Sequence, residues 1–252
     1  MFLSGTAVSP ARYPGLEGAQ RLYVIGDIHG RADLLARTHA LIDRDRAASS
    51  GRDGATEIYL GDYVDRGPNS REVLDALIRR ASACDVRPLR GNHEDVFLNV
   101  LGGRETFERW KQVGGLETLV SYGVEVGRYL RRRSLDEQGL LAALRERVPA
   151  THVRLLQAMA VSLAVGPYFF AHAGIRPGRP LSAQSSRDLL WIRSEFLASQ
   201  ADFGAIVVHG HTPTREVEYR PNRINIDTGA YLSNRLTCLR IDRDGVHEMR
   251  EA

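Results

Sequence analysis

The sequence predicts an α/β fold, because short apolar runs alternate with helical segments from its N-terminal part onward. Residues 22–25, 57–60 and 85–89 are strand-like apolar runs. Between them, residues 33–47 and 70–83 carry apolar side chains at the three- and four-residue spacing of a helix face. Each apolar run ends at glycine and polar residues, as a buried strand ends at a loop. This β-α-β-α-β order predicts a core sheet whose strand ends share one edge.

A helical insert is expected at residues 102–150, within one domain that spans residues 1–252. The pattern changes to helical spacing after Asp95, and glycine pairs stand at 102–103 and 114–115. The insert carries the basic run Arg131, Arg132 and Arg133, which we interpret as a solvated face. Residues 1–20 contain two prolines and three glycines and predict an irregular arm.

The C-terminal part predicts strands that complete the core. Residues 161–165 and 168–171 flank a Gly-Pro turn and are typical of a hairpin. Further strand-like runs lie at residues 205–208, 222–227, 236–241 and 246–249, and a helix is expected at 189–199.

Composition excludes several classes of function. The formal net charge of +3 is too small to indicate nucleic-acid binding. Cys84 and Cys238 lie far apart, so we expect neither a disulfide framework nor a thiolate zinc site. The longest apolar stretch, residues 158–175, is too short and interrupted to cross a bilayer, and no signal peptide is expected. We therefore expect a cytoplasmic protein with no nucleic-acid or membrane partner, and the oligomeric state stays open.

Side chains that bind metals or phosphate follow the predicted strands. They are Asp27 and His29; Asp62, Asp65 and Arg66; Arg90, Asn92 and His93; His172; and His211. Imidazole, carboxylate and amide ligands without thiolate suit manganese, iron or zinc. The candidates are too many for one open catalytic ion, so we expect two divalent ions, about 3.5–4 Å apart, that share a carboxylate. Manganese is preferred over iron or zinc. Arginines beside such a pair predict a phosphate on the substrate.

These segments resemble the motifs of a known family. Gly26-Asp27-Ile28-His29-Gly30, Gly61-Asp62-Tyr63-Val64-Asp65-Arg66-Gly67 and Gly91-Asn92-His93-Glu94 resemble signatures of the PPP family of serine/threonine protein phosphatases, within the calcineurin-like metallophosphoesterases. His172-Ala173-Gly174, Trp191-Ile192-Arg193, Gly210-His211-Thr212-Pro213 and Ile226-Asp227-Thr228-Gly229-Ala230 resemble later motifs of the bacterial and phage lambda-type members. The resemblance covers about residues 22–241, and it implies a four-layer α/β/β/α sandwich.

The resemblance also implies a role for each candidate. One ion would be held by Asp27, His29 and Asp62, and the other by Asp62, Asn92, His172 and His211. Phosphoryl oxygens would be bound by Arg66, Arg90 and Arg193. His93 would be the general acid, oriented by Asp65, while a hydroxide that bridges the ions attacks phosphorus directly.

Three positions outside these roles were also interpreted. Many metallophosphoesterases, including nucleases, carry Gly-His-x-His where this chain has Gly210-His211-Thr212-Pro213, which favours phosphomonoester hydrolysis. His209 is interpreted as a packing or supporting side chain. Asp227 is interpreted as the first residue of an Asx-turn.

Three functions fit this pattern. The preferred hypothesis is a protein phosphatase that acts on a phosphoprotein or phosphopeptide at serine or threonine, with tyrosine and histidine also considered. The alternative is a hydrolase of dinucleoside polyphosphates, of the diadenosine tetraphosphatase type. A third is a binding module without catalysis. Related diadenosine tetraphosphatases tend to lack the equivalent of Asp65 and to carry Asp in place of Glu94, so these two residues were taken to favour the phosphatase.

Overall fold

A computed structural model describes residues 13–18, 20–48, 54–131 and 134–250 of the chain. Its strands are β1 (Arg21–Ile25), β2 (Ala55–Tyr59), β3 (Asp85–Pro88), β4 (Leu130–Arg131), β5 (Ser134–Leu135), β6 (Ser162–Val165), β7 (Tyr168–Ala171), β8 (Ile206–His209), β9 (Glu218–Arg220), β10 (Arg223–Asn225), β11 (Cys238–Asp242) and β12 (Gly245–Met249). Its α-helices are α1 (Ala32–Ala48), α2 (Ser70–Ala81), α3 (Asn92–Leu101), α4 (Phe107–Gln112), α5 (Gly115–Ser121), α6 (Glu137–Arg147), α7 (Ala150–Ala158), α8 (Ser186–Trp191), α9 (Ser194–Leu197) and α10 (Ala230–Ser233).

Two five-stranded mixed sheets form the centre of the fold. The first has the strand order β12-β11-β1-β2-β3, and the second has the order β6-β7-β8-β10-β9. Strands β1, β2 and β3 are parallel, and so are β7, β8 and β10. Because parallel strands end at the same edge of their sheet, the loops that follow these six strands can meet in one region.

Alternation of side chains along the strands produces three apolar layers. In β1, Leu22 and Val24 face the second sheet, where Tyr168 and Phe170 of β7 belong to the same buried cluster. The intervening residues Tyr23 and Ile25 pack with the helices on the outer face of the first sheet. The other face of β7 packs with α8 and α9 through a third cluster. The predicted helix-sheet-sheet-helix sandwich is therefore confirmed, because side chains two apart on a strand point to the same face.

The helical insert packs on the outer face of the first sheet. Trp110 of α4, Leu119 of α5 and Leu140 of α6 are fully buried in the same cluster as α2 and α3. Phe97 of α3 stacks on Trp110 with ring centroids 5.3 Å apart. The insert also contains the two-stranded ribbon β4-β5, which the sequence pattern did not predict.

One predicted helix is interrupted. A continuous helix was expected at residues 189–199, but α8 begins earlier, and the chain breaks at Ile192 and Arg193 before α9. The carbonyl of Leu189, which would accept from the Arg193 amide in a continuous helix, accepts instead from the amide of Ala173 at 2.8 Å. This tertiary hydrogen bond ends the helix next to a predicted phosphate-binding residue.

Some predictions fall at or beyond the limits of the described residues. Residues 13–18 contain neither helix nor strand, as expected for the arm, whereas residues 1–12 and 19 lie outside the described residues. Arg132 and Arg133 of the basic run also lie outside them. The short strand β9 was not predicted. In the part of the chain that is described, no helix combines the length and apolar character needed to cross a bilayer.

Candidate active site

Five residues at the strand ends adopt a left-handed backbone conformation. They are His29, Asp62, Asp65, Arg66 and His211, with φ angles of 47°, 54°, 71°, 69° and 68°. Such φ values are uncommon for residues other than glycine and cost on the order of 1 kcal/mol or more each. Every one of them was a sequence candidate, so the unfavourable backbone is concentrated where the functional side chains are placed.

The first group of candidate ligands surrounds one oxygen of Asp62. His29 donates its Nδ1 proton to the carbonyl of Val64 at 2.9 Å, so its unprotonated Nε2 faces Asp62 Oδ2 at 3.4 Å. Asp27 accepts the amide of His211 at 2.9 Å through Oδ2, whereas its buried Oδ1 has no hydrogen-bond partner. The lone pairs of His29 Nε2 and Asp62 Oδ2 are therefore directed at one another without a proton between them.

The second group surrounds the other oxygen of Asp62. His172 donates Nδ1 to the carbonyl of Leu60 at 3.0 Å. Its Nε2 then lies 2.8 Å from Asn92 Oδ1, 3.1 Å from His211 Nδ1 and 3.3 Å from Asp62 Oδ1. A neutral Nε2 cannot satisfy three other acceptor atoms, but a cation between them would.

The electrostatics also indicate cations at this position. Burial lowers the pKa of His29 to about 3 and that of His211 to about 2, so both imidazoles are neutral and able to bind metal. Burial, together with the charges of Asp227 and Asp62, raises the pKa of Asp27 well above its usual range. The buried carboxylate of Asp62, which contacts the neutral imidazoles of His29 and His172, needs positive charge, and divalent ions would supply it.

The donor set fits two ions that share Asp62. In each of two trios, His29-Asp62-His93 and Asp62-His172-His211, one ligand atom per residue lies within 4.8 Å of the others. Nitrogen and oxygen donors without thiolate suit borderline divalent metals. The residues are therefore arranged for divalent metal binding.

The buried carboxylate of Asp65 holds the imidazole of His93, on the side of the ring that faces away from the candidate metal ligands. His93 Nδ1 lies 2.8 Å from Asp65 Oδ2, and Nε2 lies 3.7 Å from Asp62 Oδ2. Burial alone would lower the pKa of His93, but Asp62 and Asp65 outweigh it and raise the pKa. Asp65 in turn accepts hydrogen bonds from Trp110 and Thr118 of the insert, which the sequence analysis did not identify.

Arg66 reaches the same region and is oriented by a tyrosine. Its Nη2 lies 3.3 Å from His93 Nε2, and its Nη1 donates to the Tyr231 hydroxyl at 3.0 Å. The guanidinium also lies 4.9 Å from the centroid of the Tyr231 ring. Tyr231 packs against His29 with ring centroids 5.3 Å apart. Sequence reasoning missed Tyr231, although it directly follows the last recognised motif.

The other two predicted phosphate-binding arginines differ in their contacts. Arg193 donates to the Thr212 hydroxyl at 3.1 Å, beside His211. The Arg90 Nη2 donates to the carbonyls of Leu156 and Gln157, at 3.1 and 3.0 Å, near the end of α7. The structure brings Arg66 and Arg193 to the ligand groups, while these hydrogen bonds direct Arg90 toward α7, and its phosphate contact stays a prediction.

Glu94 is a structural residue of the site. Its fully buried carboxylate accepts from the backbone amides of Asp62 at 2.8 Å, Tyr63 at 2.7 Å, Val64 at 3.2 Å and Gly91 at 2.9 Å. It thereby connects the start of α3 to the loop that carries the shared ligand. Because its oxygens are occupied by backbone, Glu94 has no free group with which to select a substrate.

The two remaining interpretations are confirmed. His209 is buried and packs against Phe196 with ring centroids 4.9 Å apart, and its Nε2 lies 3.4 Å from Arg223 Nη1. Asp227 forms the expected Asx-turn, in which Oδ1 accepts from the Gly229 amide at 2.9 Å. Its burial raises its pKa to about 6, with Asp62 contributing in the same direction.

Comparison with known proteins gives the family and a set of relatives. Residues 20–240 match the family model Metallophos, described as calcineurin-like phosphoesterase. The chain is 27% identical over 238 residues to the asymmetrical bis(5'-nucleosyl)-tetraphosphatase PrpE of Halalkalibacterium halodurans, covering 86% of this chain and 88% of the relative. It is 29% identical to the protein of the same name from Bacillus subtilis, with 86% and 89% covered.

Solved structures share the architecture at lower identity. One, provisionally described as a diadenosine tetraphosphatase, has a TM-score of 0.63 and 21% identity over 94% of this chain and 97% of its own. A protein serine/threonine phosphatase from Saccharomyces cerevisiae has a TM-score of 0.54 and 14% identity over 96% and 85%. At these identities the likeness shows the fold alone, and the fold accommodates both substrate classes.

The family match accounts for the fold and for the class of chemistry. It spans every strand-end segment from Asp27 to Asp227, and residues of these segments are arranged so that they could hold divalent metal ions. The named relatives are tetraphosphatases, so they do not support the narrower resemblance to protein phosphatases. The chain belongs to the calcineurin-like phosphoesterase family.

Proposed function

We propose that this protein hydrolyses dinucleoside polyphosphates, cutting a four-phosphate bridge asymmetrically into a nucleoside monophosphate and a nucleoside triphosphate. The observation that carries the proposal is the match to relatives named as asymmetrical bis(5'-nucleosyl)-tetraphosphatases over most of both chains. The substrate preference inferred from Asp65 and Glu94 is replaced, because Glu94 bonds only to backbone in this fold and does not discriminate between substrates.

The metal-binding residues divide into two sets around Asp62. One set is Asp27, His29 and Asp62, and the other is Asp62, Asn92, His172 and His211. Two divalent ions, manganese in preference to iron or zinc, would supply positive charge that polarises a phosphoryl group and makes water more acidic. The neutral state of the buried histidines is the state required to bind them.

Two arginines bind the phosphate that reacts. Arg66 lies next to His93, and Arg193 lies next to Thr212 and thus beside His211. Guanidinium groups form paired hydrogen bonds to phosphate oxygens and offset the charge that accumulates there during transfer. The hydrogen bonds to Tyr231 and Thr212 fix the two guanidinium groups in position before the substrate binds. This reduces the entropic cost of ordering the arginine side chains on binding.

His93 protonates the leaving group. In hydrolysis the oxygen of water bonds to one phosphorus, the bridging P–O bond breaks, and the departing phosphate takes the electron pair. The Nε2 of His93 supplies a proton to that departing oxygen, and Asp65 at 2.8 Å holds the ring and favours its protonated state. A proton released by water balances the transfer.

An exposed tryptophan supports a nucleoside substrate. Trp191 ends α8 two residues before Arg193, is 40% exposed, and lies with its ring centroid 6.4 Å from that of His211. A flat indole face beside a phosphate site is suited to stacking a nucleobase, which contributes about 1–3 kcal/mol.

A second candidate is hydrolysis of phosphoserine or phosphothreonine in proteins. The observation that favours it is the buried Asp65–His93 pair. An alkoxide leaving group is strongly basic and requires a proton, whereas a nucleotide phosphate can leave as a stable anion, so a well-supported acid matters more for a phosphomonoester.

A hydrolysis panel tests these candidates. Diadenosine tetraphosphate, phosphoserine and phosphothreonine peptides and 4-nitrophenyl phosphate are each incubated with protein and added Mn²⁺, Fe²⁺ or Zn²⁺, and products are separated by chromatography. Asp62→Ala, which removes the shared ligand, controls for contaminating activity. We expect AMP and ATP in equal amounts. Turnover of the peptides without turnover of the dinucleotide would establish the second candidate, and bound metal without turnover of any substrate would leave only a binding role.

A further inference from the structure

Two side chains of the helical insert contact Asp65, the partner of the proposed general acid His93. We propose that Thr118 and Trp110 are positioning residues, which orient Asp65 and through it His93. This role rests on the proposed function, because it requires His93 to donate a proton. It assigns a catalytic purpose to a segment whose function the sequence pattern did not reveal.

The hydrogen bonds to Asp65 leave its carboxylate no freedom to rotate. Thr118 donates to Oδ1 at 2.7 Å, and the Trp110 indole N–H lies 3.1 Å from each of the two oxygens. His93 Nδ1 occupies Oδ2 at 2.8 Å. Asp65, Thr118 and Trp110 are all fully buried, so water cannot replace these donors. The plane of the carboxylate is therefore set by the insert.

The same threonine also holds the backbone of Asp65. The Thr118 hydroxyl oxygen accepts the Asp65 amide at 2.7 Å and lies 2.8 Å from the Ser70 hydroxyl. Asp65 has a φ of 71°, a conformation that requires support from its surroundings. Thr118 thus contacts both ends of Asp65, its amide and its carboxylate.

The loop before α5 holds the next residue in the same way. The Arg66 amide donates to the carbonyl of Gly114 at 2.9 Å, and a Cβ on Gly114 would lie only 2.7 Å from Arg66 Cγ. Glycine is needed there because its φ of 103° is unfavourable for other residues. The insert therefore contacts both Asp65, the partner of the proposed acid His93, and Arg66, a proposed phosphate-binding residue.

A purely structural role for Thr118 makes a different prediction from a positioning role. Loss of packing would slow the reaction whether or not His93 is present. Loss of positioning acts only through His93, so it has no further effect once His93 is removed. A double-mutant cycle on activity separates the two, because residues that act as a unit are not additive.

The test compares Thr118→Val, His93→Asn and the double variant, with diadenosine tetraphosphate or whichever panel substrate the unaltered protein turns over. We expect Thr118→Val to lower kcat by about 10-fold with both metals retained, as is common for residues that support a catalytic group. In the His93→Asn background the same change should leave kcat unaltered. Thr118→Ser, which keeps the hydroxyl, should restore the rate. Val120→Ala, at an exposed position of the same helix, is the matched control.

A second measurement tests Trp110 without relying on the threonine. Trp110→Phe keeps an aromatic ring beside Phe97 and removes the N–H donor together with part of the indole. Its effect should be larger for phenyl phosphate than for 4-nitrophenyl phosphate, because the better leaving group has less need of an acid. If both esters resist hydrolysis, kcat on the dinucleotide is compared with that of His93→Asn.

The outcomes distinguish the two proposals. If the unaltered protein hydrolyses no substrate of the panel, the proposed function fails. If it is active and His93→Asn slows it, but Thr118→Val and Trp110→Phe do not, the positioning role is overturned while the function stands. An equal slowing by Thr118→Val in both backgrounds would show a structural role and would also overturn it.

Discussion

Replacement of Gly210 by alanine should weaken one of the two proposed metal sites through a single steric contact. A Cβ built on Gly210 would lie 1.9 Å from Asp27 Oδ1, the buried oxygen that has no hydrogen-bond partner. Real Cβ atoms essentially never approach closer than 3.0 Å, so the carboxylate must move by about 1 Å. The backbone cannot give way easily, because the Gly210 amide donates to the His172 carbonyl at 2.8 Å.

The magnitude follows from what the moving carboxylate loses. Its Oδ2 accepts the His211 amide at 2.9 Å, and a charge-assisted hydrogen bond of this kind contributes about 1.5–3 kcal/mol. Overpacking adds about 1–3 kcal/mol, so we expect the free energy of unfolding to fall by roughly 2.5–6 kcal/mol. Displacement of one ligand of the set Asp27, His29 and Asp62 should weaken that metal site by roughly 100-fold.

Titration calorimetry with Mn²⁺ on chelator-treated protein measures how many ions bind and with what affinity. The unaltered protein should bind two ions, whereas Gly210→Ala should bind one with ordinary affinity and the other weakly, and urea unfolding should show the loss of stability. Gly127→Ala is the matched control, because nothing lies within 4 Å of a Cβ at that glycine. Two sites with unaltered affinity in Gly210→Ala would refute the assignment of Asp27 as a ligand.

Three further predictions concern the proposed acid His93, the stacking of a nucleobase on Trp191, and His39, which lies outside the candidate site. His93→Asn should retain both metals while kcat falls about 100-fold or more; metal analysis showing a lost ion would contradict its role as acid. Trp191→Ala should raise KM for the dinucleotide roughly 5- to 100-fold and leave KM for 4-nitrophenyl phosphate unaltered, as expected for a lost stacking surface; equal changes in both would exclude stacking. Burial and the charge of Arg80 lower the pKa of His39 to about 4, so this histidine stays neutral in the fold and its contribution to stability is lost as pH falls from about 6.5 toward 4. His39→Gln, which keeps the donor to the Tyr59 hydroxyl, should reduce the stability lost between pH 7 and pH 5 by about 2 kcal/mol, and an unaltered pH dependence of urea unfolding would count against this.

The ligands could be identified from sequence because each follows its strand within a few residues. Asp27 and His29 follow β1, and Asp62 follows β2, so the strand positions them locally. Metal chemistry also limits the choice to a few side-chain types. The structure brings all six predicted ligands together.

The substrate could not be inferred in this way, for a physical reason. Asp65 and Glu94 were used to choose a protein phosphatase over a dinucleotide hydrolase. In the fold, Glu94 bonds to four backbone amides and Asp65 bonds to His93, Trp110 and Thr118. Neither carboxylate has a free oxygen for a substrate, so neither can select one by direct contact.

The sequence by itself determined the fold class and predicted which residues act as ligands and acid, because these depend on strand periodicity and on residues close to strand ends. Only the tertiary structure decided what supports them. Trp110 and Thr118 reach Asp65 from helices of the insert, and Tyr231 reaches Arg66 from α10. Such contacts join segments far apart in the chain and use common residue types, so no local pattern marks them. They become visible only when packing brings the segments together.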